Sequence, residues 1–513
     1  MSNFVKRVGK ELHDINNRPF TFKGVGIGGW LLIEGYMIKS FGKIDRPRRM
    51  YDHIEKLTNE KTADWFFSEW VTNFFNSEDI KLIKNDGFNS VRIAIDYAFL
   101  FEPSDLIQEL EVVEHNFEIL DRIIEVCAKH QLYVIVDLHA APGGQTGTNI
   151  DNSKNDHPDL FVSELYQLQT IYVWKTIASR YKKEQYIGAY DLLNEPLPDW
   201  QAKYNDLLVP LYKRIIEAIR EVDKNHLITL EGLHWSTDLS CFTELLDDNL
   251  LLQFHKYWSS PDKESIQQYL DLREKLDVPL YMGEGGENNL LWYSTVFKLY
   301  EQLDISYAFW TYKKMDNTNS IVSFEMPSNW EKFLNGELND TETLVVLVEL
   351  LDNVRFNKTT HNKSVSNHIL LQNDYSQYSF GYDFVSNGIS FHRFNHHDSS
   401  MRINDGIKIL TSNKEVVVPN FKQFGGEDTP DKDVLYTFLD KDEWIGFTYK
   451  NCGEPFSVTL DSVVQEDITI KANGIVVVPK NGSYFIQSNL DETKINIKAV
   501  NNVKLGIVSF KQQ

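Results

Sequence analysis

Two glutamates end short apolar runs in this chain: Glu195 in DLLNEP and Glu284 in MGEGG. An ionisable group in that position is costly to bury unless it is paired or does chemistry. The same rule, taking the polar residue that ends each apolar run, selects further positions. It gives Arg92 in SVRIAI, His139 in YVIVDLHA, Asn194 beside Glu195, His255 and Tyr257 in LLQFHKYW, and Trp310 in SYAFWTY. Two carboxylates facing each other across a cavity suit cleavage of a glycosidic bond: one protonates the departing oxygen, the other attacks the anomeric carbon. Such a pair needs surroundings that push the two pKa values apart. Asn194 can donate to a sugar 2-hydroxyl, Arg92 and Tyr257 can hold and aim Glu284, and Trp310 offers a flat platform under a ring.

The runs that carry these residues define the scaffold. Up to about residue 350, eight short apolar segments (FKGVGIGG, SVRIAI, YVIVDLHA, GAYDLLNEP, LITLEG, LLQFHKYW, PLYMGEGG and SYAFWTY) alternate mostly with 3.6-periodic segments such as FEILDRIIEVCAKH. Continuous apolar strands alternating with amphipathic helices mean parallel strands buried on both faces. Eight such units predict a (β/α)8 TIM barrel, with catalytic residues at the C-terminal ends of the strands. Strands 4 and 7 then place Glu195 and Glu284 on opposing sides. No GxGxxG fingerprint follows an early strand, which disfavours a dinucleotide fold. TETLVVLVELLDNVRF reads as the last barrel helix, and the polar NKTTHNKSVSNH as a linker. Beyond it the pattern changes to short alternating strands: YSFGYDF, ISFHRF, EVVVPNF, WIGFTYK, FSVTLDSV, ITIKANGIVVVPKNGSYFIQS, INIKAV and VKLGIVSF, with KNG as a hairpin signal. The expected architecture is therefore an α/β barrel over residues 1–358 and a smaller antiparallel β-sandwich over 369–513.

Composition narrows the function classes. The net charge of −22 disfavours nucleic acid and anionic membrane as partners. No apolar run approaches the length of a membrane span, and the N-terminus lacks an apolar core of signal-peptide length, so a cytoplasmic protein is expected. Three scattered cysteines without CxxC spacing argue against a disulfide framework and a structural zinc. Aromatics at 13% suit stacking on apolar sugar faces. No metal and no cofactor are expected, and the partner is a carbohydrate substrate.

Arg92, His139, Asn194-Glu195-Pro196, His255-x-Tyr257, Glu284 and Trp310 together resemble glycoside hydrolase family 5, retaining glycosidases on (β/α)8 barrels. The resemblance covers about residues 15–345. It implies that Glu195 is the acid/base and Glu284 the nucleophile. It further implies a supporting set of His139, Asn194, His255 and Tyr257, with Trp310 at the sugar subsite next to the cut. A finer resemblance is to the fungal-type exo-β-1,3-glucanases of that family: GGWLLIE (28–34), GFNSVRIAIDYAFLF (87–101), HAAPGGQTG (139–147) and FWTYKKMDN (309–317) are similar to their motifs. It implies that Glu34 binds hydroxyls of a terminal glucose. Gly35 stands where that group has Pro, Asp96 where it has Gly, and strand 5 has no clear counterpart. The appended sandwich is foreign to those glucanases but occurs among glycolipid-cleaving relatives.

Exo-acting hydrolysis of β-glucosides or β-glucan oligosaccharides is the leading expectation. The alternatives are an endo-β-glucanase, a glycolipid-cleaving glycosidase, a non-catalytic carbohydrate-binding protein, and a metal-dependent barrel hydrolase. Blander readings stand beside several residues. Asp137 precedes His139 at a ligand-like spacing, but barrel amidohydrolases use an HxH on strand 1 that is missing here. Glu34 either binds sugar or pairs with a surface Lys or Arg. Trp235, Trp258 and Trp292 line subsites or belong to the core. Lys313 and Lys314 read as surface residues.

Overall fold

A computed structural model describes residues 4–40, 42 and 44–513. Eight parallel strands close into a barrel: β1 (Lys23–Leu31), β2 (Ser90–Asp96), β3 (Tyr133–Ala140), β4 (Ile187–Asp191), β5 (Leu227–Glu231), β6 (Leu250–His255), β7 (Leu280–Gly286) and β8 (Ser306–Trp310). All eight lie where the apolar runs place them. Closure is made by β8 against β1, with Tyr307 opposite Lys23 and Phe309 opposite Val25. Apart from Lys23 at the start of β1, every position in these strands is buried. That is the burial expected of strands with the barrel interior on one face and helices on the other.

The N-terminal mouth is plugged. A small antiparallel sheet (Lys6–Val8, Glu11–His13, Pro19–Phe20) precedes β1. Val5 and Leu12 join Phe22, Tyr133, Ile135, Ala189, Leu227, Leu251, Tyr281 and Ala308 in one apolar cluster. A ligand therefore enters from the opposite, C-terminal rim. After β8 comes a capped helix, Asp340–Asn353, whose Asn339 and Glu342 form a capping box.

The chain forms two compact units: residues 1–256, 269–285 and 306–361 in the first, and 257–268, 286–305 and 362–513 in the second. The second unit thus begins near the expected linker but also takes in two segments that the sequence reading assigns to the barrel. The reason is visible in the helix Leu290–Gln302, buried at every position from Trp292 to Tyr300. A helix apolar all round needs cover on all sides. It packs against the helix Lys363–Leu370 and the strand Tyr375–Tyr378. Trp292 belongs to this core and donates Nε1–H to the carbonyl of Ser259. Trp258 lies in the same unit, with Phe424 5.9 Å away and Lys422 over its ring.

Residues 369–513 hold twelve strands in antiparallel sheets of four, five and three. Tyr375 and Phe510 of the four-stranded sheet meet Phe447 and Tyr449 of the five-stranded one, ring on ring, as facing layers of a sandwich do. Two expected strands are absent. EVVVPNF forms no strand, with Val416 and Val418 turned to solvent and Pro419 lacking an N–H to donate. Lys408–Thr411 and Leu435–Leu439 pair instead. YSFGYDF turns through a single 3-10 turn at Ser379–Gly381. KNG does make its turn, closed by the Lys480–Ser483 bridge.

No described helix is long and apolar enough to cross a membrane.

Candidate active site

The site lies inside the C-terminal half of the barrel, around Arg92. Its side chain is completely buried, and each of its three nitrogens donates to a neighbouring side chain. Nε donates to Asp191 Oδ2 at 2.8 Å and Nη1 to Glu284 Oε2 at 3.0 Å. Nη2 donates to Asn194 Oδ1 and Glu231 Oε1, both at 2.9 Å, and lies 3.2 Å from Asp137 Oδ2. Strand register builds this cluster: Asp137 is level with Asp191 across β3 and β4, and Glu231 with Gln253 across β5 and β6. Gln253 Nε2 donates to Asp191 Oδ2 at 3.0 Å and also to Glu231 Oε1.

Arg92 also settles the orientation of its neighbours. A guanidinium only donates, so the Asn194 atom it meets is the oxygen. Asn194 Nδ2 then donates to His139 Nε2 at 3.1 Å. The proton of His139 therefore sits on Nδ1 and points at Asp137 Oδ2, 2.7 Å away. Burial pulls the His139 pKa down to about 4, so the ring is neutral at pH 7. Trp310 stacks parallel to it with centroids 5.5 Å apart, and donates Nε1–H to Tyr36 Oη. The glycines of GVGIGG make room for that indole, because a Cβ on Gly26 or Gly28 would meet its ring at 2.5–2.6 Å. Glu34 Oε1 lies 3.7 Å from His139 Nε2, and the residue is only 3% exposed. This corrects the reading of Glu34 as a surface ion-pair partner.

Glu284 lies within β7, past a bulge between Met282 and Glu284 that brings it level with His255. Gly283 beside it has no space for a side chain, since a Cβ would meet Gln253 at 2.2 Å. Glu195 lies beyond the end of β4, in a turn with φ of 44°. Its N–H donates to Glu231 Oε2 at 2.7 Å, which fixes this left-handed backbone position. One of its oxygens, Oε1, contacts His255 Nδ1 at 2.7 Å. An oxygen of Glu195, a ring nitrogen of His255 and an oxygen of Glu284 all lie within 4.8 Å of one another.

The electrostatics follow from burial. Asp137, Asp191, Glu195, Glu231 and Glu284 crowd round a single guanidinium. Burial works against the charge of Arg92, but Asp137, Asp191, Glu231 and Glu284 outweigh it and hold its pKa well above the ordinary range. Burial raises Asp137 to about 7, Asp191 to about 8 and Glu231 to about 7, against the pull of Arg92. Glu195 is pushed well above its ordinary value by burial first, then by the charges of Glu284, Glu231 and Glu34. It therefore keeps a proton that it can deliver. Burial takes His255 down to about 3, so it too is neutral at pH 7.

Two donor sets have metal-like spacing here, Glu195/His255/Glu284 and Asp137/Asp191/Glu231. The second already surrounds the Arg92 guanidinium, and a divalent cation placed there would repel it. The first is the facing pair of glutamates.

Of the nine residues selected from the sequence, eight lie in the first unit: Glu34, Arg92, His139, Asn194, Glu195, His255, Glu284 and Trp310. Tyr257 falls in the second unit, its ring 5.7 Å from that of Trp258. Glu231, Asp191, Gln253 and Gln145 were missed. Gln145 ties β3 to the β4 turn, donating to the carbonyls of His139 and Asn194. Lys313 and Lys314 are buried rather than superficial: Lys313 pairs with Asp79 at 3.0 Å and Lys314 lies over the Tyr36 ring.

A family model described as "Cellulase (glycosyl hydrolase family 5)" matches residues 53–316, just over half of the chain. The chain is 29% identical over 257 residues to a β-xylosidase of Phanerodontia chrysosporium, covering 50% of this chain and 52% of that protein. It is 33% identical over 301 residues to the sporulation-specific glucan 1,3-beta-glucosidase of Saccharomyces cerevisiae, covering 54% and 64%. It is 26% identical over 313 residues to endoglucanase C of Acetivibrio thermocellus, covering 49% and 88%. The match thus spans about half the length of the xylosidase.

Proposed function

The chain belongs to glycosyl hydrolase family 5, and from that premise we propose that it is a retaining β-glycosidase acting on β-glucosidic bonds, cutting from a chain end. The observation that carries this reading is the spacing of the two glutamates. Oxygens of Glu195 and Glu284 within 4.8 Å fit the separation of about 5–5.5 Å used for double displacement. Inversion needs about 6.5–9.5 Å, to leave room for a water.

In the first step Glu284, aimed by Arg92, attacks the anomeric carbon. Glu195 gives its proton to the departing oxygen, and the bond to the leaving group breaks. In the second step Glu195, now a carboxylate, takes a proton from water. The water attacks the anomeric carbon, and Glu284 leaves with its electron pair. Asn194 is oriented by Arg92 and His139 to donate to the sugar 2-hydroxyl, and Trp310 supplies the flat face beneath the ring. Exo action rests on Glu34, a buried carboxylate beside His139 that can accept from two adjacent hydroxyls of a terminal sugar. Relatives named as glucosidase, xylosidase and endoglucanase leave linkage and aglycone to be measured.

Proton NMR of the first-formed sugar tests the reading. A β-glucoside should release β-glucose before mutarotation; α-glucose would end the double-displacement account.

A further inference from the structure

The turn that carries Glu195 is held in a conformation its own sequence disfavours. Glu195 and Leu197 have φ of 44° and 54°, the left-handed region that an L-residue avoids. Pro196 stands between them, and a residue before proline is pushed toward extended backbone. Glu195 therefore sits where neither its chirality nor its neighbour would put it. The turn is kept by its bonds. Asn194 N–H donates to the carbonyl of Leu138 at 3.2 Å, and Gln145 Nε2 donates to the carbonyl of Asn194 at 2.9 Å. Leu197 N–H donates to the carbonyl of Gln145 at 3.1 Å, and His234 N–H to the carbonyl of Leu197 at 3.0 Å. At Glu195 itself the partner is a carboxylate, Glu231 Oε2, at 2.7 Å. A bond to an ionised acceptor is roughly twice as strong as one between neutral groups.

Glu231 ends β5, with its side chain fully buried and its carbonyl accepting from Tyr212 Oη at 3.0 Å. Both of its carboxylate oxygens face donors. Oε2 takes the Glu195 N–H, while Oε1 takes Arg92 Nη2 at 2.9 Å and Gln253 Nε2. Arg92 in turn holds Glu284 through Nη1 at 3.0 Å. Oε1 also lies 3.3 Å from His255 Nε2, and the other ring nitrogen of His255 contacts Glu195 Oε1 at 2.7 Å. One carboxylate therefore meets the backbone of Glu195, the histidine on its side chain, and the guanidinium that aims Glu284. A glutamine in its place has a single accepting oxygen. It could serve Arg92 or the Glu195 N–H, and at the other contact it would set N–H against N–H.

We propose that Glu231 is a positioning residue for the protonation step: it clamps the turn after β4 so that the Glu195 carboxyl meets the departing oxygen. This rests on the assignment of Glu195 as the acid, and Glu231 acts through Glu195 rather than on the sugar. A misplacement of about 1 Å at a reacting group can cost on the order of 100-fold. Here that cost falls on leaving groups that need a proton, because activated ones depart without it. The charge of Glu231 also helps to keep the proton on Glu195. A residue that merely filled the core would alter neither the leaving-group dependence nor the alkaline limb of the pH profile.

The test uses the full chain and two substrates, a β-linked glucose disaccharide and a dinitrophenyl β-glucoside, which departs without protonation. Glu231→Gln should lower kcat/KM on the disaccharide about 10- to 100-fold more than on the dinitrophenyl glucoside, and should move the alkaline limb to lower pH. Glu231→Asp keeps the charge but is too short to reach both sets of donors. It should show the same selectivity with the limb in place. Asp191→Asn is the control for the shared cluster, since Asp191 bonds Arg92 and Gln253 rather than the turn, and it should lower both substrates alike. Equal losses on both substrates at Glu231, or none, overturn the proposal. The same two substrates on Glu195→Gln separate the failures: selectivity there with none at Glu231 sinks the clamp alone, and none in either sinks the acid assignment. If neither Glu231 variant folds, the unmodified enzyme decides. In protein carrying isotope-labelled glutamate, the Glu195 amide, identified by its loss in Glu195→Gln, should resonate far downfield, as an N–H held by a carboxylate does. An ordinary amide shift overturns the clamp.

Discussion

Glu34 offers the sharpest test of how this cavity reads a sugar. It is 3% exposed, and its contact with His139 is to a ring that burial holds neutral at pH 7. Removing its charge therefore breaks no ion pair with that ring. The loss should appear in binding. A carboxylate accepting from sugar hydroxyls contributes about 1.5–3 kcal/mol, and a neutral acceptor about 0.5–1.5 kcal/mol. Glu34→Gln should then lower kcat/KM on an aryl β-glucoside about 5- to 10-fold, and Glu34→Ala about 10- to 150-fold. The alanine variant should also discriminate less between gluco and galacto substrates. A second signature follows from the charge itself. Glu34 helps to hold the proton on Glu195, so in Glu34→Gln the alkaline limb of the kcat/KM profile should move to lower pH. Activity within about twofold of the parent in both variants, with sugar preference and alkaline limb unchanged, would refute the reasoning and reopen endo action.

The two glutamates separate by leaving group. Glu284→Gln should abolish turnover of every substrate, whereas Glu195→Gln should lose least on activated aryl glucosides, which need little protonation; equal losses across leaving groups would undo the assignment. Asp191 tests the buried cluster. Its pKa lies at about 8 in the fold and in the ordinary carboxylate range when unfolded, so the folded chain binds the extra proton. The corresponding stability is present in acid and is lost as pH rises through about 8. Asp191→Asn should flatten the fall in thermal midpoint between pH 5.5 and 8.5, and an unchanged slope would contradict this. A chain ending at His361 should aggregate, because the helix Leu290–Gln302 would lose the cover it takes from residues after 362; a soluble, monomeric product would show that this helix stands alone.

The barrel was readable because its strands are buried on both faces and appear as unbroken apolar runs. Half-buried strands leave a fainter trace. EVVVPNF has strand-like composition, yet Val416 and Val418 face solvent, while Lys408–Thr411 went unnoticed until paired. The site divides in the same way. Polar residues that end an apolar run were found, and Arg92 and six others of them lie in the first unit. Asp191 and Gln253 sit inside their runs, where a polar residue looks like an interruption rather than a signal. Glu231 does end the run LITLEG, but nothing in the sequence marks it as the acceptor for the Glu195 backbone. Tyr257 illustrates the opposite limit, since its place after β6 says nothing about which unit its loop joins.

The central claim is that Glu284 becomes covalently attached to the sugar. A 2-deoxy-2-fluoro β-glucoside with an activated leaving group slows the second step and lets that species accumulate. Mass spectrometry of the digested enzyme should find one added fluoroglucosyl group on the peptide containing Glu284. An adduct on another carboxylate, or steady hydrolysis of β-glucosides by an enzyme that never acquires one, would contradict the account.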